Sequence, residues 1–467
     1  MLLSVEVTPT AVRSGAAAIV RSPGGLSELA RSGTAEPARS VEGVAVALRP
    51  LGLVAGMSGN LMEWYDFALY GVMARTLAEI FFPHAGRLLA LLSVFGVFAA
   101  GYLMRLIGGA LFGHLGDRVG RRRALLLSAA TMAIATSLVG LLPSYAAAGV
   151  LAPILFTVFR LLQGLSVGGE FTTSISYLVE HAPSGRRALQ GSFASLTAGA
   201  GILLGSAVGS ALFAIFSTDE VRAWAWRIPF LLSIPLGIGL AGLRMTLPED
   251  APMSRAGRAP GSGSEPSPVR RALCEHPGEI ARGIAMGWGL NASFYVVAVF
   301  LGSFLATERL LPEGTAFALQ TSSVALMVVL TPLAGHLADR FGRKPMVLAS
   351  AGGCLLLAWP LFAILRNENP ADDLLAQLVF SLFVVAGLAP YQVWLAELFP
   401  RDVRASGLGI AYNAAAGVLG GTTPLVCTAL ADLSGSALAP AAYVAVATLA
   451  TLVAAATTPE TARAALE

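Results

Sequence analysis

Apolar runs long enough to cross a membrane recur along the whole chain, and no other feature constrains its fold so strongly. A spanning helix needs about 20 apolar residues. The sequence of 467 residues offers twelve such runs, at about 51–73, 88–112, 124–142, 149–178, 191–216, 228–247, 283–306, 315–334, 346–365, 374–396, 405–430 and 436–457. Only 13% of the residues are charged, against about 25% in soluble proteins. The chain is therefore predicted to be an all-α integral membrane protein with twelve transmembrane helices.

A polar segment divides these runs into two sets of six. Residues 248–282 include the Pro-, Gly- and Ser-rich stretch Arg258–Pro268, which is typical of a flexible linker. The predicted halves are therefore 49–247 and 283–458. Residues 459–467 are predicted to be a short tail. Residues 1–48 contain no apolar run long enough for a signal peptide, and are predicted to be a disordered tail or a mis-assigned start.

The basic residues predict how the chain lies in the membrane. Seventeen of them fall in one set of inter-helix loops and six in the opposite set. Short loops rich in Arg and Lys stay in the cytoplasm, which places both termini there. The multi-pass chain is expected in a bacterial inner membrane.

Several classes of function are excluded by what the sequence lacks. A net charge of +3 is too small to suggest nucleic-acid binding. The three cysteines form neither a disulfide framework nor a metal-ligand spacing. The sequence has no phosphate-binding GxxxxGK[ST] loop and no recognisable Ser-His-Asp set. We therefore predict no cofactor, no metal, no ATP-driven step and no enzymatic activity.

An internal repeat relates the two halves. Gly113–Arg122 (GHLGDRVGRR) and Gly335–Lys344 (GHLADRFGRK) are identical at seven of ten positions. A Glu-x-x-Pro-x-x-x-Arg string and a Pro-Glu pair also recur, at Glu180–Arg187 and Glu397–Arg404, and at 248–249 and 459–460. Parallel six-helix repeats are typical of transporters whose halves rock about a central site.

These motifs resemble those of the major facilitator superfamily. The repeated Asp-Arg loop is similar to the superfamily's signature loop. The strings at 59–71 (GNLMEWYDFALYG), 160–170 (RLLQGLSVGGE), 412–413 and 420–424 (GGTTP) resemble its metabolite:proton symporter branch, which includes transporters of 2-oxoglutarate, citrate, shikimate, proline and betaine. The resemblance implies the major facilitator fold and covers about residues 50–460.

A polar stripe in the first span is the candidate coupling site. Asn60, Glu63 and Asp66 are spaced three residues apart and therefore lie on one helix face. Carboxylates are costly inside a membrane, and two close ones disfavour simultaneous ionisation, so one of them is a candidate proton carrier. The alternative is a permanent pairing with a basic residue that holds the helix in place.

The fourth span carries a second polar face. Arg160, Gln163 and Glu170 recur at helical spacing. Glu170 is grouped with the candidate proton carriers. Arg160 and Gln163 are predicted to bind substrate, together with Asn60 and with Arg105 of the second span, since a guanidinium fork suits a carboxylate. The alternatives are an ion pair of Arg160 with Glu63, Asp66 or Glu170, and partial snorkelling of Arg105 to the surface.

The resemblance also implies a cytoplasmic gate built from the repeated loops. Arg121 and Arg343 would pair with Glu180 and Glu397, and both aspartates of the repeat would lie near helix N-termini. The implied gating residues are Asp117, Arg118, Arg121, Glu180, Arg187, Asp339, Arg340, Arg343, Glu397 and Arg404.

Together these features predict a symporter that imports a small organic solute with protons by alternating access. A carboxylate metabolite is favoured, because two intramembrane arginines accompany the carboxylate stripe. A zwitterion such as proline or betaine, a proton-antiport exporter and a membrane-embedded sensor are the alternatives. The expected partners are the solute, protons and the lipid bilayer, and the chain is expected to work as a monomer.

Overall fold

The computed structural model describes residues 50–119, 121–168, 170–180, 182–245, 268–308, 311–366, 369–401 and 403–466. Within these ranges, eight helices are long and apolar enough to cross a membrane, or nine if a pair bent by 44° in the sixth span counts as one. The first, third and fourth spans bring the number to the predicted twelve but are not among those eight or nine helices. The first is more polar because it contains Glu63 and Asp66, and the apolar helices of the third and fourth are shorter.

The first six spans are built from eleven helices. They are α1 (Pro50–Val72), α2 (Ala74–Phe81), α3 (Arg87–Val119), α4 (Arg121–Gly140), α5 (Tyr145–Ala148), α6 (Leu151–Val167), α7 (Glu170–Glu180), α8 (Arg187–Ile215), α9 (Thr218–Glu220), α10 (Arg227–Leu231) and α11 (Ser233–Arg244). Spans 1, 2, 3 and 5 are α1, α3, α4 and α8. Span 4 joins α6 to α7, and span 6 runs from α9 to α11.

The second six spans repeat this arrangement. The helices are α12 (Pro268–Glu275), α13 (Pro277–Tyr295), α14 (Leu301–Glu308), α15 (Glu313–Phe341), α16 (Arg343–Ile364), α17 (Pro370–Glu397), α18 (Arg404–Tyr412), α19 (Thr423–Ser434) and α20 (Ala439–Thr457). Span 7 joins α13 to α14, span 11 joins α18 to α19, and spans 8, 9, 10 and 12 are α15, α16, α17 and α20.

Two predicted segments differ from the structure, and a third is untested. The tail at 1–48 and residues 248–267 of the linker lie outside the described residues. The predicted linker at 248–282 is not wholly irregular, because α12 forms within it and α13 begins at Pro277, six residues before the predicted start of the second half. The repeated Asp-Arg segments are helical and not loops: α3 and α15 continue to Val119 and Phe341.

The second of these long helices ends in a sharp turn of the chain. In the second copy the turn is made at Gly342, which has a φ of 105°. Side chains rarely adopt that conformation, and glycine does so without steric cost. The turn lets α16 begin immediately after α15.

Glycines let the fifth span pack tightly against the first. A Cβ atom at Gly205 would lie 2.7 Å from the Cβ of Ala68 and 2.8 Å from the carbonyl oxygen of Tyr65. Gly201 and Gly209 meet α1 in the same way. These three glycines recur every four residues and therefore form a close-packing face.

Two spans of the second half are interrupted by π-helical turns, at Val296–Phe300 in span 7 and Asn413–Gly420 in span 11. Such turns often mark functional positions. The side chain of Gln320, in span 8, accepts a hydrogen bond from the Gly302 N–H (2.9 Å) and donates one to the Ala298 carbonyl (2.8 Å), both in span 7. These bonds satisfy backbone groups around the irregular turn, which would be costly to leave unpaired in a membrane.

Candidate transport site and gates

The Asp66 carboxylate lies at the centre of a buried network inside the first half. It accepts hydrogen bonds from Arg160 (2.9 Å), Gln163 (2.6 Å) and Thr136 (2.9 Å). Gln163 in turn accepts one from the Tyr70 hydroxyl at 2.9 Å. Spans 1, 3 and 4 are thus joined by one fully buried ion pair and its neutral donors.

Glu63, one turn before Asp66, forms a separate ion pair with Arg105 of span 2. Both side chains are 2% exposed, so Arg105 does not snorkel. Beyond this ion pair, neither Glu63 oxygen has a hydrogen-bond partner among the described residues. Glu63 also borders a cavity of about 10 Å³, lined in part by Ser128, Ser166 and Gly237, which is close to the space that one water occupies.

Aromatic rings surround both guanidinium groups. Arg105 lies 4.9 Å from the ring centroid of Phe67 and 4.8 Å from that of Tyr102. Arg160 lies 4.8 Å from Phe67 and 4.2 Å from Tyr70. Cation–π contacts of this kind strengthen when water is excluded, so they add to the ion pairs in holding both arginines.

The pairing bears on the predicted roles of these residues. Each arginine is neutralised by a carboxylate of span 1, which is the structural alternative that the sequence left open. The preference for an anionic substrate rested on the two intramembrane arginines, and in this structure both of them are paired with carboxylates. Asn60 is buried and its amide has no partner within the described part of the chain. The side chain of Glu170 lies outside the described residues.

A small cavity lies between the two halves. It measures about 30 Å³ and is lined by Trp64, Phe171, Ser195, Ala198, Gly199, Asn291, Phe294, Val324, Met327, Val328, Thr331, Val385, Leu388, Ala389, Gln392 and Tyr412. Solute pockets usually measure about 300 Å³ or more, so this central cavity is contracted. No charged side chain is among its described lining residues.

Trp64 is the centre of an aromatic cluster at this cavity. Its ring meets Phe67, Phe171 and Phe294 edge-on, with centroids 5.7–5.9 Å apart, and stacks on Tyr295 at 6.4 Å. The indole N–H is buried without a hydrogen-bond partner among the described residues. Trp64 therefore offers a ring face and one unsatisfied donor.

Ion pairs close the side of the molecule that carries the repeated motifs. Arg404 of span 11 pairs with Glu180 of span 4 at 2.9 Å, which joins the two halves. Arg343 pairs with Glu397 at 3.0 Å, as the resemblance implied, and Arg187 approaches the same carboxylate at 3.6 Å. Two basic side chains from different halves thus share Glu397.

Asp339 makes a second type of contact across the halves. Its carboxylate accepts hydrogen bonds from the backbone N–H groups of Ala188 (2.9 Å) and Leu189 (2.8 Å), in the first turn of α8. A carboxylate is favoured there, because the first N–H groups of a helix lack internal partners. Arg343 also pairs with Asp339 at 3.1 Å.

The final residues of the chain cover this network. The carboxylate of Glu460 accepts hydrogen bonds from the backbone N–H groups of Arg343 (3.1 Å) and Lys344 (2.9 Å) at the start of α16. Arg187 donates to the Ala464 carbonyl at 2.9 Å. The predicted tail at 459–467 is therefore bound to this network over most of its length.

Not all of the predicted gating residues join the network. The side chains of Asp117, Arg118 and Arg121 lie outside the described residues. Arg340 is exposed and stacks over the Phe341 ring at 5.5 Å. The second copy of the motif therefore contributes Asp339 and Arg343 to the contacts that the structure describes.

Four residues that bond across the halves were absent from the predicted site. Ser195 donates to Gln392, and the hydroxyls of Tyr102 and Tyr295 are hydrogen-bonded to each other. Helical spacing in one span cannot identify residues that meet between halves. The only local signal is Gly420–Gly421, since a Cβ atom there would lie 2.9 Å from the Tyr295 ring and 2.6 Å from the Tyr102 ring.

The fold and the paired motifs define a secondary transporter, and comparison with known proteins identifies its family. The sequence profile of the Major Facilitator Superfamily matches residues 56–421 and 284–465, and the chain belongs to that superfamily. The assignment to solute symporters is confirmed, and the protein is a multi-pass membrane transporter, not an enzyme.

Individual relatives differ in their solutes. The chain is 33% identical to the ectoine/proline transporter ProP of Corynebacterium glutamicum, over 88% of this chain and 84% of that protein. It is also 33% identical to the shikimate transporter of Escherichia coli, over 81% of this chain and 86% of that protein. The structure resembles the xylose transporter XylE of E. coli with a TM-score of 0.70 and 20% identity, covering 88% of this chain and 98% of that one.

Proposed function

We propose that the protein imports a small zwitterionic solute, one with an ammonium and a carboxylate group, together with protons. The observation that carries this proposal is the central cavity, whose described lining is aromatic, apolar or uncharged and polar. The ammonium group of a zwitterion can bind against these aromatic faces. An anionic metabolite has no cation to place against them.

The ammonium group would lie against Trp64 and its neighbours Phe171 and Phe294 when the cavity expands. Amides and hydroxyls, such as those of Asn291 and Gln392, would contact the rest of the solute. The unsatisfied indole N–H of Trp64 is a suitable donor to the carboxylate. The relatives named for ectoine and proline agree with this class of solute, whereas the shikimate transporter makes a carboxylate metabolite the competing outcome.

Of the two carboxylates in span 1, Glu63 is the better candidate for the proton carrier. Asp66 receives three hydrogen bonds, which stabilise its charged form. Glu63 has Arg105 as its one described partner and borders a cavity of about 10 Å³. A proton on Glu63 would release Arg105, which could then bind the solute carboxylate.

The remaining predicted roles follow from this scheme. Asp66, Arg160 and Gln163 hold spans 1, 3 and 4 together, while Asn60 supplies a free amide one turn before Glu63. Glu170 remains a second candidate proton carrier. In this scheme the solute binds only after Glu63 is protonated, which couples the two fluxes.

The ion pairs at the repeated motifs are proposed to form the cytoplasmic gate. Glu180–Arg404, Arg187–Glu397 and the Asp339 contact with α8 join the two halves, so all three have to break before the halves can separate there. The Arg343–Glu397 pair lies within the second half and holds Glu397 in place. Asp117, Arg118 and Arg121 are assigned to the same gate through the repeated motif. The proposal includes cytoplasmic termini, a bacterial inner membrane and a functional monomer.

A solute panel tests the proposal. Purified protein in proteoliposomes is supplied with betaine, proline, ectoine, shikimate and 2-oxoglutarate, each with an inward proton gradient and no ATP. We expect accumulation of at least one zwitterion, and abolition of that accumulation by a protonophore. Accumulation of shikimate or 2-oxoglutarate alone would show that the substrate is an anion and not a zwitterion. Dependence of the accumulation on sodium would contradict proton coupling.

A further inference from the structure

The hydrogen bond between Tyr102 and Tyr295 joins span 2 of the first half to span 7 of the second. Both side chains are buried. Tyr102 stacks on Phe67 at 4.9 Å, and Tyr295 stacks on Trp64 at 6.4 Å. The two hydroxyls therefore meet between the aromatic residues of span 1 and the second half.

The two tyrosines lie between two spaces. The central cavity is lined by Phe294 in span 7 and Tyr412 in span 11. A second cleft of about 360 Å³ lies between spans 2, 7 and 11 and is lined by Leu88, Leu91, Phe300, Ser303, Phe304, Thr307, Thr428, Ala431 and Asp432. Along span 7, Tyr295 lies between Phe294 of the cavity and Phe300 of the cleft. Along span 11, the glycines that face the tyrosine rings lie between Tyr412 of the cavity and Thr428 of the cleft.

The opposite end of the cavity is closed by a different contact. Ser195 and Gln392 bond across the halves. In α8 and α17 they lie between other cavity-lining residues and the ion-paired Arg187 and Glu397. The cavity is thus bounded by one hydrogen bond on the gate side and by the tyrosine pair on the cleft side.

The irregular backbone of the second half brings the tyrosines together. Tyr295 immediately precedes the π-helical turn of span 7, and the turn of span 11 ends at Gly420. A Cβ atom at Gly420 would lie 2.9 Å from the Tyr295 ring, and one at Gly421 would lie 2.6 Å from the Tyr102 ring. A larger residue at Gly420 would displace the Tyr295 ring.

Tyr102 also contacts the proposed coupling pair. The Arg105 guanidinium lies 4.8 Å from the Tyr102 ring centroid and is paired with Glu63. A change in the partner of Arg105 therefore acts directly on a ring that closes the cavity.

The geometry points to the Tyr102–Tyr295 pair as a thin gate that separates the outer cleft from the central cavity, held shut in part by the Glu63–Arg105 ion pair. The link to Glu63 rests on the proposed function, whereas the barrier itself does not. Both tyrosines are positioning residues here. When the pair separates, the cavity becomes continuous with the cleft.

Thiol labelling tests the barrier without any solute. Cys274, Cys354 and Cys427 are replaced by serine or alanine, and Ala198→Cys places one thiol in the central cavity. A membrane-impermeant reagent is applied to right-side-out and inverted vesicles. Because a hydrogen bond has a modest net worth, we expect Tyr102→Phe and Tyr295→Phe to speed labelling from the cleft side about threefold to tenfold.

The matched control is Tyr391→Phe. The Tyr391 hydroxyl is buried and donates to the Gly283 carbonyl at 3.0 Å, within the second half, so this variant should label like the parent. If either tyrosine variant fails to fold, Gly420→Ala provides the same test, since it displaces the Tyr295 ring. Unchanged labelling, or an equal increase from both faces, would overturn the barrier.

A double variant tests the link to Glu63. If the ion pair acts through Tyr102, Glu63→Gln should also speed labelling. The double variant Glu63→Gln with Tyr295→Phe should then raise the labelling rate by less than the product of the two single-variant factors. Fully multiplicative effects would remove the link while leaving the barrier intact. Failure of zwitterion transport would leave the labelling results unaffected, so the two proposals fail separately.

Discussion

The two halves share their surface motifs but differ in their membrane interiors. The first half buries two ion pairs in the middle of the membrane, Glu63–Arg105 and Asp66–Arg160. At the corresponding depth, the described part of the second half offers amides and hydroxyls such as Asn291 and Gln320. It has two π-helical turns, in spans 7 and 11, against one in span 6 of the first half. We infer that the first half carries the coupling chemistry, whereas the second half supplies uncharged polar groups.

The comparison also shows what an internal repeat conserves. Arg343 and Glu397 form an ion pair within the second half, and Glu180 and Arg404 form one between the halves. The repeated residues thus fix where the halves meet on one side of the membrane. The interior residues are not repeated, so each half can serve a different role.

The largest expected effect is that of Glu63→Gln. The amide cannot release a proton, so uphill transport should be lost while exchange of solute across the membrane continues. Counterflow and gradient-driven uptake in the same proteoliposomes measure the two activities. The control is Glu79→Gln, because Glu79 also pairs with arginines but is 40% exposed. Full uphill transport by Glu63→Gln would move the coupling site elsewhere, with Asp66 and Glu170 as the next candidates.

Asp66→Asn should weaken the fold more than the transport chemistry. Removing one member of a buried ion pair leaves Arg160 uncompensated, which costs about 3–5 kcal/mol. Reversible unfolding in mixed micelles would measure this free energy. Asp66→Leu combined with Arg160→Met removes both charges and should recover much of the loss. If the single variant were as stable as the parent, the structural role of the network would be contradicted.

Trp64→Leu should weaken solute binding about tenfold or more, since a desolvated cation–π contact is worth about 2 kcal/mol. Calorimetry with a zwitterion bearing a quaternary ammonium measures the change. Trp288→Leu is the control, because Trp288 bonds to Tyr443 within the second half and does not line the central cavity. Equal losses in both variants would show a general packing effect and would remove Trp64 from the binding site.

The smallest expected effect is at the gate pair. Glu180 is 26% exposed on its side chain, and partly exposed ion pairs contribute about 1 kcal/mol or less. Glu180→Gln should therefore change the ratio of gate-open to gate-closed forms a few-fold. It should change the solute affinity by no more than a few-fold. Labelling of a cysteine placed at Ser192, beside α15, reports the opening. A large loss of affinity with unchanged labelling would contradict the gate assignment.

Sequence reasoning predicted the features that depend on local spacing. Apolar run lengths located the spans, and the three-residue spacing of Asn60, Glu63 and Asp66 identified the face that meets spans 2 and 4. It could not decide which charges pair, because Arg105 and Arg160 approach from different helices. The Asp-Arg motifs were misassigned as loops, since their polar residues do not reveal that α3 and α15 extend beyond the apolar core.

The contacts between halves were the least predictable part. Tyr102 and Tyr295 are 193 residues apart and meet only because span 11 presents glycines to both rings. A lone tyrosine in an apolar run gives no indication of its partner. The predicted preference for an anionic substrate stays a prediction, because the sequence shows two arginines and several carboxylates but not which of them pair.

The most direct test of the central claim is the proton flux that accompanies the solute. Proteoliposomes containing the protein and an internal pH dye are given an inward gradient of betaine, proline or ectoine with no imposed proton gradient. We expect the lumen to acidify on addition of at least one zwitterion, and not to do so with Glu63→Gln. Acidification driven by shikimate or 2-oxoglutarate but by none of the zwitterions, or acidification that survives Glu63→Gln, would contradict the account.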